Sequence, residues 1–487
     1  MGRHVLADRA ATSSTSSSTS SSTSTAISQP FAGIAFSVWA GAFAVGALIH
    51  VWQEAVSLWA VGPLVAVAAF AVILRPTSPA RLVVLFGLLF IEVLDWLPDL
   101  LNHQILVAVL GVTFVGWWLG FRWRSPVQAH DPGVMYERVA PYLRVAFIMM
   151  WVLAAVAKFN TGFTDVVTTC SVWILESIPG VQVPAGLAPL AIAATMALEL
   201  AVPALLLFHR TRPLAVVLGF GFHLVSAFAG HASFSGFAWS FYLLFLPPAM
   251  IARAVVIARR DLPARVRGAV AVAVAHTPLT LVVLGGLWVS IRLLLPAALQ
   301  PPARNWGAAL MCVLWMGGCG WLLLRLRRHW IGAPGPLVSL RVRNGVMLLG
   351  LGLLVVTAAT PYLGLKTRAA LTMFSNLDTE PGHWNHLFIP ESVRVFHWQD
   401  GEVRVLGTDD PALTAKIEGH ESEHSTLLGV RRLVDEFPDA TVRYELDGVE
   451  RVAAPVSADP VLGEPLSPAQ EWFGAMRPFT NGGTCQH

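Results

Sequence analysis

Charge is scarce in this chain. Only 13% of its 487 residues are Asp, Glu, Lys or Arg, against roughly 25% in an ordinary soluble domain. Lysine is almost missing: of 33 basic side chains, only Lys158, Lys366 and Lys416 carry an amine and the rest are arginine. Cysteine is limited to four, too few for a disulfide scaffold, and neither a CxxC nor a Cys/His zinc spacing occurs. The net charge of +3 is small and gives no sign of a nucleic-acid partner. What is abundant is apolar: 55% of the chain is hydrophobic and 18 residues are Trp, with a mean hydropathy of +0.61. This composition excludes the soluble domains that length alone would suggest and marks an integral membrane protein surrounded by lipid.

Residues 12 to 29 are almost entirely Ser, Thr and Ala, without the apolar side chains that would offset the entropy of ordering them. Residues 1–30 therefore read as a disordered cytoplasmic tail. The apolar run from Phe31 continues far enough to span and lacks a small-residue cleavage site, so it reads as an uncleaved first helix. Apolar windows bounded by Arg, Pro and polar clusters place spans near 31–50, 56–74, 81–98, 103–121, 141–159, 185–208, 213–230, 235–254, 279–298, 306–325 and 345–363. Alternate connections are rich in arginine: Arg75 and Arg81, Arg122 to Arg138, Arg210 and Arg212, Arg253 to Arg267, and Arg325 to Arg343. The intervening connections hold little beyond Glu54, Asp99, Asp165, Glu176 and Arg304. The positive-inside rule then puts the N-terminus in the cytoplasm and the C-terminus outside.

After Leu365 the composition becomes soluble. Val393 to Trp398 alternates, turns at Asp400-Gly401 and resumes at Val403 to Leu406, the pattern of a hairpin; a second Asp-Gly, Asp447-Gly448, separates Thr441–Leu446 from Val449–Val452. Between them Leu427, Leu428, Val430, Leu433, Val434 and Phe437 recur at helical spacing. The expected fold is thus an all-α polytopic membrane bundle of about eleven transmembrane helices over residues 31–364. A small extracytoplasmic α+β domain follows over residues 365–487.

A charge near the bilayer centre costs at least about 2.5 kcal/mol, so ionisable groups inside the apolar region are functional candidates. They are Glu92 and Asp95, His103 beside Asn102, Arg144, Lys158, Glu199, His223 and His231. Lys158 stands out because arginine serves wherever a fixed charge suffices, whereas a buried amine can give up its proton. The plainer reading is a lysine snorkelling to outer water. His223 and His231, eight apart, share a helix face and are equally readable as helix-bridging hydrogen-bond partners. Glu199 is readable as a buried carboxylate paired with Arg144. Whether Cys170 pairs with Cys485 is left open, since nothing in the sequence fixes their separation.

Several segments resemble one family. Ala154-Ala-Val-Ala-Lys158-Phe-Asn160, with Arg144 upstream, is similar to the Ala-Gly-Val-Lys-Lys-Leu segment of vitamin K-dependent gamma-carboxylase and its bacterial relatives, the HTTM (horizontally transferred transmembrane) domain proteins. The resemblance continues through Leu94-Asp95, Asn102-His103, Glu199-Leu200, Phe222-His223, Phe234 to Phe237 and Ser240-Phe241-Tyr242. It extends to Pro361–Lys366, Met373–Leu377 and Asn385-His386. It implies a membrane enzyme in which Lys158 removes a proton from a reduced vitamin K-type quinone, menaquinol or similar, that then reacts with O2 and ends as the epoxide. In the eukaryotic members this drives carboxylation of a protein glutamate by CO2. The resemblance makes Lys158 and His223 the catalytic candidates, with Asn102, His103, Arg144, Glu199, Phe234 and Tyr242 around the quinone, and no metal. It also implies as partners membrane lipid, an extracytoplasmic protein or peptide substrate and a DCC-type thiol-disulfide oxidoreductase. The chain departs from the family segment at Ala157, where the first of two lysines stands. The alternative from another class is a non-enzymatic transporter, scaffold or quinone-binding protein of the same fold.

Overall fold

A computed structural model of the chain describes residues 20–54, 61–98, 100–294, 300–330, 338–420, 424–479 and 485. Residues 1–19 of the expected tail lie outside the described residues. The first helix, α1 (Ser20–Gln53), takes in residues 20–30.

Helices follow in short succession: α2 (Gly62–Leu74), α3 (Pro79–Trp96), α4 (Asn102–Arg124) and α5 (Pro132–Ala157). Two short ones, α6 (Thr161–Thr164) and α7 (Cys170–Glu176), lead to α8 (Ala188–Leu207), α9 (Arg212–Phe228) and α10 (Ala232–Leu243). The remainder of the bundle is α11 (Pro248–Asp261), α12 (Ala264–Ala275), α13 (Thr277–Leu294), α14 (Gln300–Trp330) and α15 (Gly345–Ala359). Proline at the first turn starts many of them, where its missing N–H leaves no bond unmade.

Four helical stretches are long and apolar enough to cross a membrane: Phe31–Gln53, Asn102–Arg124, Pro132–Ala157 and Ala185–Leu207. Two bent pairs, α10 with α11 at 112° and α12 with α13 at 102°, raise the number to six if each pair is one span. Eleven full spans are therefore more than the described residues display. Helices α2, α9 and α15 are apolar but only 13, 17 and 15 residues long, and α3 carries Arg81, Glu92 and Asp95. The span expected over 235–254 is broken at Leu244–Pro247, since Pro247 and Pro248 withhold the two N–H groups that would continue the helix.

Helix α1 is the axis of the bundle, packed against α2, α5, α10, α11 and α14. Its crossing with α10 is close because both helices present glycine: a Cβ on Gly46 would lie 2.8 Å from the carbonyl carbon and oxygen of Gly236. Small residues permit such backbone approach between apolar helices. Around the crossing Phe43 stacks on Phe86 at 4.4 Å and meets the tilted ring of Phe237 at 5.1 Å.

The C-terminal domain has a four-stranded antiparallel sheet in the order β2-β1-β3-β4, with β1 Glu402–Thr408, β2 His424–Thr426, β3 Val442–Leu446 and β4 Val449–Ala453. Helices α16 (Pro411–His420) and α17 (Leu427–Val434) supply Leu413, Ile417, Val430 and Val434 to a core shared with Val403, Val405 and Tyr444. A final short helix, α18 (Pro468–Phe473), precedes the chain's return toward the bundle. The hairpin at Asp447-Gly448 forms as expected, with Leu446 opposite Val449 and positive φ at both turn residues. The other expected hairpin does not form. The amides of Val395 and Phe396 bond instead to the Leu363 carbonyl at 3.2 and 2.9 Å, and β1 pairs with β2 and β3. A disulfide joins Cys170 at the start of α7 to Cys485.

Candidate functional site

Lys158 occupies the position where α5 ends. The helix stops because Asn160 turns the chain. Its Nδ2 donates to the carbonyls of Ala157 and Ser375, both at 2.7 Å, and its Oδ1 accepts from the Phe163 amide, which caps α6. Lys158 is thereby aimed inward and is 2% exposed, which excludes a snorkelling lysine. Its Nζ lies 3.1 Å from Glu199 Oε2 on α8 and donates to the Met373 carbonyl at 2.5 Å. The C-terminal end of α5 carries the negative end of the helix dipole, which favours a cation there.

The partner expected for Glu199 was Arg144, and this is corrected. Arg144 lies 14 positions before Lys158 on α5, about 21 Å along the axis. Its guanidinium donates to the carbonyls of Leu244 at 2.7 Å and Ser339 at 2.9 Å and to the Tyr136 hydroxyl at 3.2 Å. It fastens the break after α10 to α5 and does not reach the site.

The amine opens onto a cavity of about 40 Å³ whose polar lining includes Lys158, Glu199, His223 and His231 along with Ser171, Thr195 and Ser226, among Trp151, Phe222, Phe234, Met373 and Phe374. His223 is 1% exposed and neither ring nitrogen has a hydrogen-bond partner among the described residues. Aromatic rings surround it, with Phe234 at 5.1 Å, Trp151 at 5.5 Å and Tyr242 at 5.9 Å between centroids. An unmet buried donor or acceptor costs roughly 1–3 kcal/mol, so the imidazole is a standing demand for a polar ligand or water. His231 does not share a helix with His223 as expected: it lies past the end of α9, at the N-cap position of α10 without a side-chain cap bond, and its ring packs on Phe374 at 4.5 Å.

Of the residues singled out in the sequence, Lys158, Glu199, His223, His231 and Phe234 meet at this cavity. Asn102, His103, Arg144 and Tyr242 are not in its lining. Asn102 begins α4 with its side-chain oxygen buried. The Tyr242 ring sits behind His223, filling the space that the absent side chain of Gly219 leaves. His103 belongs to a second buried cluster, where its Nε2 is 3.3 Å from His50 Nδ1 while His50 Nε2 is 3.4 Å from Glu92. Phe234 stands between the clusters, 6.1 Å from His103 and 5.1 Å from His223. Sequence reasoning missed His50, although a histidine in the last turn of an apolar helix, at the depth of Glu92 and His103, was a readable signal.

The roof is residues 369–376. Ala369, Leu371, Phe374 and Asn376 all have positive φ, between 49° and 58°, a region non-glycine residues seldom occupy. Asn160 holds the Ser375 carbonyl, and Asn385 Nδ2 donates to the Asn376 carbonyl at 2.8 Å. Just past the roof, burial foremost and Glu380 beside it raise the Asp378 carboxyl to about 6 against the pull of Arg477 and His383. Of the other two lysines, Lys366 is lowered to about 8 by burial, and Lys416 pairs with Glu436 at 2.6 Å on the surface.

Comparison with protein-family models, curated proteins and solved structures finds no match.

Proposed function

We propose that this chain is an eleven-span membrane enzyme, its C-terminal domain extracytoplasmic, in which Lys158 initiates oxygenation of a reduced menaquinol-type quinone. The reading takes its chemistry from the gamma-carboxylase and HTTM proteins that the Ala154–Asn160 segment resembles. When bound, the quinol supplies the electrons that react with dioxygen and leaves as the epoxide, with carbon dioxide consumed where a glutamate of an extracytoplasmic substrate is carboxylated.

The observation that carries the reading is the enclosed Lys158–Glu199 pair facing an apolar cavity with an unpartnered imidazole. Across 3.1 Å the pair can exist as ammonium and carboxylate or as amine and carboxyl. One more proton, taken from a ligand hydroxyl, makes the pair ammonium and neutral carboxyl, and the single positive charge so created faces the ligand oxyanion in the same dry site. His223 offers a second polar contact on the same cavity, and the aromatic walls suit a flat ring. The fit is one of chemistry, since a cavity of about 40 Å³ is far below the roughly 300–1,000 Å³ of a ligand pocket. Binding therefore requires the roof at Met373 and Phe374, or α7 beside it, to move outward.

The test is oxygen uptake and epoxide formation by purified protein in lipid nanodiscs supplied with a reduced naphthoquinone. Wild type should consume oxygen and form epoxide. Lys158→Arg, with its guanidinium fixed as a cation, should not, while retaining its thermal unfolding profile. Undiminished epoxide in that variant, or no uptake by wild type across menaquinol analogues, removes the reading.

A further inference from the structure

One exposed apolar surface of the C-terminal domain is set at the depth of the helix ends. Within residues 387–396, Phe388 is 73% exposed, Val395 63% and Leu387 51%, with Phe396 and Val393 also open. The segment forms no strand, and both its ends are fastened to helices of the bundle. At one end the Leu387 amide donates to the Phe159 carbonyl at 2.8 Å, His386 Nε2 lies 3.1 Å from the Val156 carbonyl, and the Phe388 ring meets Phe159 at 5.4 Å. At the other end Val395 and Phe396 bond to Leu363, just beyond α15.

The segment also satisfies itself internally. His386 Nδ1 accepts from the amides of Phe388 and Ile389, and Trp384 Nε1 donates to the Ile389 carbonyl at 2.8 Å. Arg394, its one cation, is paired with Asp400 and Glu391. Backbone groups and charges so neutralised are what a segment needs to leave bulk water. The exposed apolar belts of the two supporting helices, Val152 on α5 and Val355 and Val356 on α15, run toward the same ends.

We propose that residues 387–396 form a wedge seated in the headgroup–acyl boundary of the leaflet on the C-terminal domain's side, with Leu387, Phe388 and Val395 in contact with lipid. The partner is the bilayer surface itself. The wedge extends the lipid belt of α5 and α15 and holds the domain against the membrane; it rests on the reading of the bundle as membrane-embedded.

Nitroxide labels test this in the full chain in phosphatidylcholine nanodiscs, with Cys312 and Cys319 replaced by Ala and the Cys170–Cys485 disulfide kept. Phe388→Cys and, separately, Val395→Cys are labelled, with Val356→Cys as lipid reference and Val449→Cys on β4 as water reference. Collisional relaxation by oxygen, which partitions into lipid, is compared with that by a water-soluble nickel chelate. Labels at 388 and 395 should favour oxygen over nickel as the 356 label does and at least threefold more than the 449 label. Nickel access equal to that at 449 overturns the wedge, as does shielding from both agents, which means a second copy or another protein covers the patch. A 356 label open to nickel instead sinks the membrane reading beneath it.

Discussion

Removing one member of the Lys158–Glu199 pair should cost more than removing both. The two charges are 3.1 Å apart with side chains 2% and 6% exposed, so water screens them little. At an effective dielectric of about 20 their attraction is roughly 5 kcal/mol, and withdrawing each ion from water costs several kcal/mol. The pair is thus near balance, and either charge alone is not. Lys158→Met should leave Glu199 buried without a counter-ion, and Glu199→Leu should strand the ammonium, each destabilising by about 3–5 kcal/mol. The double variant loses only the donor to the Met373 carbonyl, a cost of about 1–3 kcal/mol. Apolar packing of the new side chains offsets part of it, placing the double variant within about 2 kcal/mol of wild type. The assay is reversible unfolding in mixed micelles by titration with sodium dodecyl sulfate, followed by tryptophan fluorescence for all four proteins. Single effects that add to the double effect within about 0.5 kcal/mol would show that the groups do not interact, and with that the closed site is gone.

Asp378→Asn tests the carboxyl beside the roof. Its folded value of about 6 lies above the ordinary 3.8, so the folded state keeps a proton the unfolded chain has released. The associated stability is therefore present below pH 4 and lost as pH rises to 6, by about 3 kcal/mol at 1.36 kcal/mol per unit. Asn should flatten that slope and leave the variant more stable than wild type at pH 7; an unchanged slope in a pH series of thermal unfolding refutes it. At the α1–α10 crossing, Gly46→Ala drives a methyl into the Gly236 backbone and should destabilise by about 1–3 kcal/mol. Gly116→Ala on α4, with nothing within 4 Å of the new carbon, should gain up to about 1 kcal/mol; equal effects in the same micelle titration would deny the close crossing.

What the sequence made legible was local or compositional. The Asp447-Gly448 hairpin was readable because a two-residue turn with positive φ at both positions selects those residues wherever it occurs. Asp400-Gly401 carried the same letters and misled, because the amides of Val395 and Phe396 were already committed to Leu363, far back in the chain. The break after Leu243 was written in Pro247 and Pro248 and was overridden by the apolar run around them. Rarity of lysine singled out Lys158, which is buried beside Glu199. Its partner was not readable, since any buried carboxylate is an equal candidate until helix depth and rotation are known, and Arg144 was an equally charged candidate for Glu199. The Met373 carbonyl, a backbone acceptor supplied by a residue of no distinctive chemistry, left no signal that could have been read.

The strained roof and the small cavity beneath it have one physical explanation. Left-handed backbone at non-glycine positions costs on the order of 1–3 kcal/mol each and persists only where surrounding contacts dictate it. Ala369, Leu371, Phe374 and Asn376 hold it within one turn-rich stretch, and two of its residues, Met373 and Phe374, line the cavity. Polar contacts to this stretch come from Asn160 at the end of α5, Asn385 beyond the roof and Lys158 on the Met373 carbonyl, while Ala369, Leu371 and Met373 are buried in apolar clusters. The same lysine that faces the cavity therefore also holds a carbonyl of its roof. Under the proposed function, a ligand that drew the amine away from Met373 would remove one of the polar bonds holding this stretch.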